Sequence, residues 1–327
     1  MMKIGIVGLG AVGGYLAARL ESAGHEVSAV ARGATLAAVR EHGLRLQTAQ
    51  GTSAHRIRAS ADATELGTQD LVIVALKSHQ LEDALAAVDA LSGARAPVLT
   101  AMNGVPWWFM QDQRGFDART AQLESVDPHG RIAAGLPRER VLAAVVHLTC
   151  SVSEPGVVRH GFGDRLIVGA ASGANGSLEP VVQALRAAAL QIEPTDDIRQ
   201  AIWFKLWGNM TMNPVSALTL APADRILDDP LVHAFCLRVM REAAAVGERI
   251  GCPISQSGEA RMAVTRQLGS FKTSMLQDVE AARVIELGAL VGAVREIAQR
   301  LDMHTPFIDA LLGLTRLMAA ERDLLPR

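Results

Sequence analysis

Short apolar runs alternate with helical stretches through the first half of the chain. The runs that predict strands are Lys3 to Val7, His25 to Ala31, Leu44 to Gln47, Leu71 to Leu76, Pro97 to Met102 and Val141 to Leu148. The run from 71 to 76 is apolar at every position, which is typical of a central parallel strand covered by helices on both faces. This alternation predicts an α/β fold with a doubly wound parallel sheet.

From about Asp196 onward, long helical periodicity replaces the strands. These segments are rich in residues that favour helices, and few strand candidates remain among them. The turn-like segment Glu193 to Asp197 separates the two halves, because it offers a proline break followed by Thr and Asp, which cap helices well. We therefore predict two domains, residues 1–195 with the sheet and an all-helical domain of residues 196–327.

Three glycines follow the first predicted strand and open the first predicted helix. Their pattern is Gly8-x-Gly10-x-x-Gly13. Here Gly8 permits a tight turn, Gly10 lets the backbone approach a pyrophosphate, and Gly13 allows the helix to pack closely on the strand. The pattern predicts a Rossmann-like dinucleotide-binding domain. A glycine-rich turn without a ligand would explain the turn but not the spacing.

The second predicted strand ends in a basic residue. An NAD site usually has Asp or Glu there, which accepts a hydrogen bond from the ribose 2′-hydroxyl. Arg32 follows this strand instead, and a guanidinium suits a 2′-phosphate. We predict NADP (NADPH) as the cofactor; a solvated arginine that merely ends a strand is the alternative.

Two polar positions follow later strands. Lys77 comes after the run 71–76, and Asn103-Gly104 follows Met102. Ligands bind at the carboxyl ends of strands in such sheets, so Lys77 and Asn103 are candidate cofactor or substrate ligands. The amide of Asn103 can donate and accept near a nicotinamide or a substrate carbonyl, although Asn-Gly is also a common turn without a ligand.

A polar stripe runs along one predicted helix of the second half. Lys205, Asn209 and Asn213 recur every four positions among Trp, Phe, Leu and Met, and so share one helical face. Such a stripe is unfavourable to bury unless something hydrogen-bonds to it, and asparagine is a poor interior helix former. The stripe predicts a catalytic or binding face; the solvated edge of an amphipathic helix is the alternative.

A second cluster begins at Ser274, in a segment that we expect to continue as a helix through Glu286. Ser274 and Gln277 have capping-box spacing, so Ser274 is either a simple N-cap or an N-cap that also binds a substrate carboxylate. Glu286 lies among apolar residues and is either an acid of the active site or an ordinary surface glutamate.

Composition and charge narrow the function classes. The 327 residues suffice for two hydrophobic cores, and 49% hydrophobic and 20% charged residues are typical of a folded globular protein. With 32 basic and 34 acidic side chains the net charge is −2, which argues against nucleic acid or an anionic membrane as a partner. No apolar stretch approaches the roughly 18 residues of a membrane span, and no signal-peptide pattern is present, so we expect a cytoplasmic protein.

Cysteine and histidine give no sign of a metal site. Cys150, Cys236 and Cys252 stand far apart without a CxxC pair, and the nine histidines have no ligand spacing. We therefore predict no metal, no disulfide framework and a reducing compartment.

Together these motifs resemble the 2-dehydropantoate 2-reductase (ketopantoate reductase) family over nearly the whole chain. The resemblance is carried by the glycine pattern, Arg32, Lys77, Asn103-Gly104, Lys205-x-x-x-Asn209-x-x-x-Asn213-Pro214, and Ser274-Met275-Leu276-Gln277-Asp278 with Glu286. It implies NADPH-dependent reduction of a 2-oxo acid, above all 2-dehydropantoate to (R)-pantoate in pantothenate biosynthesis, with Lys205 as proton donor. It also implies that the substrate contacts Asn103, Asn209, Asn213 and Ser274, and that Glu286 lies at the nicotinamide end of the cofactor.

One segment departs from the family pattern. Trp107-Trp108-Phe109-Met110 and a polar stretch to about Arg131 lengthen the interval between Asn103 and Lys205. The aromatic residues either form a larger pocket wall, which would favour a bulkier 2-oxo acid, or anchor an insertion or a subunit contact.

Other functions stay open at this point. A 3-hydroxy acid dehydrogenase and a non-enzymatic NADP(H) sensor are the alternatives, and the register of Lys205 with the two asparagines favours the reductase. The small 2-oxo acid is the expected binding partner, with a homodimer as the candidate oligomer.

Overall fold

The computed structural model describes residues 1–113, 115–173, 176–267 and 269–326. The chain divides into two compact units, which comprise Met1–Met102 with Arg131–Ile198 and Asn103–Gly130 with Arg199–Arg327. The sequence predicted a single division of the chain, at residue 195, which placed residues 103–130 in the sheet domain. In the structure these residues belong to the helical unit, which puts Asn103 in the same unit as Lys205.

One ten-stranded sheet forms the centre of the first unit. Its strands are β1 (Lys3–Val7), β2 (Glu26–Val30), β3 (Leu44–Thr48), β4 (Gly51–His55), β5 (Arg58–Ser60), β6 (Leu71–Val74), β7 (Val98–Thr100), β8 (Val141–Glu154), β9 (Val157–Ala170) and β10 (Gln191–Pro194). In space they follow the order β4-β3-β9-β8-β7-β6-β1-β2-β5, and β10 pairs with β9. Each of the six predicted runs overlaps one of these strands, and β3 and β8 extend beyond the predicted runs.

The sheet is parallel from β8 through β7, β6, β1 and β2 to β5. Antiparallel pairs occur between β3 and β4 and between β8 and β9. The strand order reverses at β1, because β2 lies on one side of it and β6 on the other. Ligands bind beside such a reversal in doubly wound sheets.

The helices occupy both faces of this sheet in the first unit and make up the second unit from Arg199 onward. They are α1 (Ala11–Ser22), α2 (Gly33–His42), α3 (Leu81–Ser92), α4 (Ala118–Ala121), α5 (Arg131–Gly135), α6 (Leu178–Ala187), α7 (Ile198–Thr219), α8 (Ala223–Asp228), α9 (Pro230–Arg249), α10 (Gly258–Gln267), α11 (Ser274–Glu280), α12 (Ala293–Arg300) and α13 (Pro306–Ala320). Short 3-10 helices span Ala63–Leu66, Ser78–Gln80, Pro128–Gly130 and Arg138–Arg140, and a π-helix spans Gly288–Gly292.

The two faces of β1 show why the sheet is doubly wound. Ile4 and Ile6 are fully buried in one cluster with Leu16 of α1. On the other face, a Cβ at Gly5 would come within 3.1 Å of Leu91 of α3. Apolar side chains on both faces are the reason that the predicted central strands are apolar throughout. The predicted fold class, a Rossmann-like sheet with a helical C-terminal region, is confirmed.

The segment at residues 193 and 194 differs from the prediction. We expected a turn there, but Glu193 and Pro194 lie in β10, paired in parallel with Ile167 and Val168 of β9. β10 is at the edge of the sheet, where proline is tolerated because its missing N–H faces no partner strand. Within the described residues, no helix is both long and apolar enough to cross a lipid bilayer.

Candidate active site

The glycine pattern forms a cradle between β1 and α1. Gly8 has a φ of +102°, and a Cβ there would lie 2.8 Å from the carbonyl oxygen of Ala75. A Cβ at Gly13 would lie 2.0 Å from the carbonyl oxygen of Gly8, so only glycine lets α1 approach the loop. Around Gly10, by contrast, there is open space. Gly10 is the N-cap of α1 and supplies no capping side chain, so the first N–H groups of the helix lack a side-chain acceptor at this cap.

This cradle fits the pyrophosphate of a dinucleotide. Free N–H groups at a helix N-terminus attract anions, and the missing side chain at Gly10 lets the backbone come close to them.

The two basic candidates of the first unit follow neighbouring strands. Arg32 is exposed at the N-cap of α2, and its side chain has no hydrogen-bond or ion-pair partner among the residues that the structure describes. Lys77 begins the 3-10 helix after β6, where its N–H donates to Oε1 of Gln80 at 3.2 Å. Both follow strands that flank β1, at the edge of the sheet where the glycine cradle lies.

The predicted catalytic lysine is hydrogen-bonded to the predicted asparagine of the loop after β7. Nζ of Lys205 donates to Oδ1 of Asn103 at 2.8 Å. The two residues are 102 positions apart in sequence and lie in the same compact unit. Lys205 projects from α7, so the bond fixes the loop and the helix face to each other.

Burial changes the protonation of this lysine. Desolvation lowers the pKa of Lys205 to about 8, and the negative charge of Glu286 acts in the opposite direction. A lysine with a pKa near 8 can hold a proton and release it close to neutral pH, as a general acid must.

The loop of Asn103 packs directly on the π-helix that follows Glu286. Gly104 has a φ of +85°, and a Cβ there would lie 2.8 Å from the carbonyl oxygen of Ala289. The N–H of Val105 donates to that same oxygen at 2.9 Å. Glycine at 104 is therefore required by this close approach, which brings the segments of Asn103 and Glu286 together.

The predicted helix through Glu286 is wrong. α11 ends at Glu280, and Ala282 has a positive φ of 50°, so the chain leaves the helix before Glu286. Glu286 precedes the π-helix Gly288–Gly292, and its carbonyl accepts from the N–H of Leu290 at 3.2 Å. π-helical turns are frequent at functional sites.

One of the two remaining stripe residues contacts the second predicted cluster. Asn213 is buried and its Nδ2 donates to Oγ of Ser274 at 3.4 Å. Asn209 is half-buried, and its side chain makes no hydrogen bond within the described ranges. Its amide is therefore available to a ligand.

Ser274 does not cap α11, contrary to the capping-box interpretation. Thr273 is the N-cap, and its side chain accepts from the N–H of Leu276 at 3.2 Å. Thr273 is adjacent to Ser274, and both are good capping residues. The sequence pattern alone therefore did not determine which of the two is the N-cap. The hydroxyl of Ser274 is thereby left for Asn213 and for a ligand.

The aromatic segment after Asn103 packs against α7, on the side of the helix that faces away from Lys205. Trp107, Trp108, Phe109 and Met110 are all at most 3% exposed. Phe109 stacks on Trp203 with ring centroids 5.8 Å apart. Trp203 is two residues before Lys205, about 200° away around the helix. The segment therefore packs on the side of α7 opposite to Lys205; residue 114 lies outside the described residues.

A clamp that the sequence analysis missed holds the rest of this segment. Glu296 of α12 accepts from the N–H groups of Glu124 and Ser125, each at 2.9 Å, and from Oγ of Ser125 at 2.6 Å. Arg300 pairs with Glu296 and donates to the carbonyl of Thr120. No sequence signal links groups more than 170 residues apart, so only the fold reveals this clamp. Among the described residues, no cluster of His, Cys, Asp or Glu could hold a metal ion.

Comparisons with known proteins agree with this arrangement. The family profile described as ketopantoate reductase PanE/ApbA matches residues 4–173, and the profile of its C-terminal part matches residues 197–319. A 2-dehydropantoate 2-reductase of Mesorhizobium japonicum is 42% identical over 323 residues, which cover 98% of this chain and 99% of the relative.

Solved structures are similar over the same length. A provisionally named ketopantoate reductase from Ralstonia solanacearum has a TM-score of 0.93 and 54% identity, covering 98% of this chain and 99% of its own. A PanE/ApbA family ketopantoate reductase from Ralstonia eutropha has a TM-score of 0.83 and 28% identity, covering 98% and 100%. These matches confirm the resemblance inferred from the sequence motifs.

Proposed function

Because the chain belongs to the ketopantoate reductase family, and is therefore an oxidoreductase, we propose that it reduces 2-dehydropantoate to pantoate with NADPH. The observation that carries this proposal is the partly buried Lys205, hydrogen-bonded to Asn103 at 2.8 Å and with a pKa lowered to about 8. It is a proton donor already placed beside a residue that can orient a carbonyl.

The side chains of the second unit act on the substrate. When bound, the reduced nicotinamide supplies a hydride to the ketone carbon. Lys205 stabilises the negative charge that grows on the ketone oxygen and gives its proton to that oxygen. Asn103 holds Nζ in place, while Asn209 and Ser274 offer neutral hydrogen-bonding groups that orient the substrate without competing for the proton.

The first unit binds the cofactor. The space at Gly10 and the N-terminus of α1 receive the pyrophosphate, and the exposed Arg32 binds the 2′-phosphate that distinguishes NADPH from NADH. Lys77 lies at the same sheet edge and adds a positive charge for the cofactor.

The packing of the aromatic segment favours a small substrate. Phe109 stacks on Trp203, on the side of α7 opposite to Lys205. Trp108 is 1% exposed and so has no surface to offer a ligand. This supports an anchoring role for the segment, and 2-dehydropantoate rather than a bulkier 2-oxo acid as the substrate.

The test is NADPH oxidation, followed by absorbance, with 2-dehydropantoate beside a panel of bulkier 2-oxo acids. We expect efficient turnover of 2-dehydropantoate, and Lys205→Met should lower kcat by at least about 100-fold because it removes the acid. Lys272→Met is the matched control, since Lys272 is an exposed lysine paired with Glu280. NADPH binding without turnover of any 2-oxo acid would contradict the proposal and support a sensor.

Cofactor choice is tested in the same assay with Arg32→Ala. The variant should raise KM for NADPH by roughly 10- to 100-fold, because a charge-assisted contact to phosphate is lost, and leave KM for NADH nearly unchanged. Equal losses for both cofactors would exclude a 2′-phosphate contact.

A further inference from the structure

Arg261 of α10 lies against the helix that carries Lys205. Its guanidinium carbon is 5.2 Å from the centroid of the Phe204 ring. A Cβ at Gly208 would lie 3.2 Å from Nε and 3.3 Å from Nη2 of Arg261. The missing side chain at Gly208 therefore lets the guanidinium reach the backbone of α7.

The position of Gly208 places this contact beside the catalytic stripe. Residues 203, 206, 207 and 210 of α7 are buried, whereas Ala201, Phe204, Lys205, Gly208 and Asn209 are partly exposed. At 3.6 residues per turn, Gly208 and Asn209 lie about 60° and about 40° from Lys205, on opposite sides of it. Arg261 thus flanks the open face of α7 on the side away from the asparagines.

The charge of Arg261 is not neutralised within the part of the chain that the structure describes. Its side chain has no hydrogen bond or ion pair there, and its Nε is buried without an acceptor. Two other guanidinium groups of the second unit are paired: Arg266, five residues later on α10, pairs with Asp228 at 2.5 Å, and Arg283 pairs with Asp278 at 3.0 Å. Burial without a carboxylate lowers the pKa of Arg261.

We propose that Arg261 binds the carboxylate of the 2-oxo acid substrate. A partly buried guanidinium with unused donors lacks an anion, and a planar carboxylate matches its geometry. This inference rests on the proposed function, because it assigns the second charged group of that substrate. Lys205 then acts on the ketone oxygen, and the two cations of this face have separate tasks.

The assignment has a consequence for specificity. Asn209, Asn213 and Ser274 are neutral and can bind a carbonyl, a hydroxyl or an amide equally well. A cation distinguishes an acid from its neutral analogue of the same size. Because Lys205 acts on the ketone oxygen, Arg261 is the cation that we assign to selectivity for acids.

The experiment compares two ligands that differ only in charge. Binding of pantoate and of its neutral amide to the complex of the protein with NADP⁺ is measured by calorimetry for the wild type, Arg261→Ala, Arg261→Lys and Arg266→Ala. The wild type should prefer pantoate by about 10- to 100-fold, which is typical of a charge-assisted contact. Arg261→Ala should lose nearly all of this preference, Arg261→Lys should keep part of it, and Arg266→Ala should keep all of it.

The ratio of the two affinities separates binding from folding. A purely structural effect of Arg261→Ala would weaken both ligands alike, and Arg261→Lys preserves the charge should the alanine variant fold poorly. A wild-type preference that survives in Arg261→Ala, or a wild type without any preference, would overturn the inference. A wild type that binds neither ligand and reduces no 2-oxo acid would instead contradict the proposed function, and this inference with it.

Discussion

Lys205 illustrates how one side chain is tuned by its surroundings. Water stabilises the ammonium form of an exposed lysine, and burial removes part of that stabilisation. The result is a pKa lowered to about 8, even though Glu286 favours the charged form. Without the nearby carboxylate the lysine would be a weaker base still. The pair thus sets the proton affinity of the site.

The pH dependence of turnover follows from this pairing. Because Lys205 must be protonated to act as the acid, kcat/KM for 2-dehydropantoate should fall as the pH rises through about 8. Glu286→Gln removes the charge that raises the pKa, so the fall should begin at lower pH. Initial rates at saturating NADPH between about pH 6 and pH 10 give both profiles.

An exposed acid provides the control for this profile. Glu280 pairs with Lys272 on the surface, and Glu280→Gln should leave the profile of the wild type unchanged. A decline at the same pH in the wild type and in Glu286→Gln would show that Glu286 does not act on the titrating group.

At the scale of elements, two glycines of one loop have separable tasks. A Cβ at Gly13 would lie 2.0 Å from the carbonyl oxygen of Gly8, whereas nothing lies within 4 Å of a Cβ at Gly10. Gly13→Ala should therefore force α1 away from β1 and destabilise the fold. Gly10→Ala should leave stability nearly unchanged but weaken dinucleotide binding, because the new methyl group occupies the cradle.

Thermal melting and NADPH titration of the two variants make a matched comparison. Gly24→Ala is unsuitable as a control, because its φ of +84° would itself introduce strain. Gly176, with a backbone outside that region and open space around it, serves instead. A Gly10→Ala protein with wild-type affinity for NADPH would mean that the pyrophosphate lies elsewhere.

Local patterns predicted six of the ten strands and the glycine turn after β1, since an apolar strand and a glycine turn are encoded by neighbouring residues. They failed where the answer depended on which of two adjacent residues caps a helix, or on contacts between residues that are distant in sequence. Thr273 and Ser274 are both good caps, and the sequence does not determine which of them accepts from Leu276. The end of α11 before Glu286 depends likewise on packing around a π-helix that has no simple periodicity.

At the scale of the molecule, the candidate site depends on chain segments that are remote in sequence. Residues 103–130 belong to the helical unit and not to the sheet unit that precedes them in sequence. There the N–H and hydroxyl groups of Ser125 donate hydrogen bonds to the carboxylate of Glu296. The Asn103 loop packs on Ala289 in the same unit. A division of the sequence at one point, residue 195, places Asn103 and Lys205 in different domains. The motif residues were identifiable from sequence, but their meeting was not.

The free energy of unfolding of the whole protein should reflect the desolvation cost of keeping Lys205 charged. Its pKa is about 8 in the folded protein and 10.5 without burial, so unfolding takes up a proton between these values and stability rises as the pH rises through them. Below about pH 8 the full penalty is present, up to about 3 kcal/mol from the difference in pKa. Lys205→Met removes the penalty but loses a charge-assisted hydrogen bond to Asn103 that is worth about 2 kcal/mol.

Lys205→Met should therefore melt about 2 °C above the wild type at pH 7, in the absence of ligands, and this advantage should shrink as the pH approaches about 10. Differential scanning calorimetry over that pH range measures it. Lys272→Met, on the surface, should show no comparable gain, because solvent already stabilises the ammonium of Lys272. An advantage that stays constant from pH 7 to pH 10 would mean that packing of the methionine, and not the lowered proton affinity of Lys205, sets the difference. A loss of stability at pH 7 would mean that the bond to Asn103 outweighs the desolvation of the charge, and that the site is stabilised by the group that performs the proton transfer.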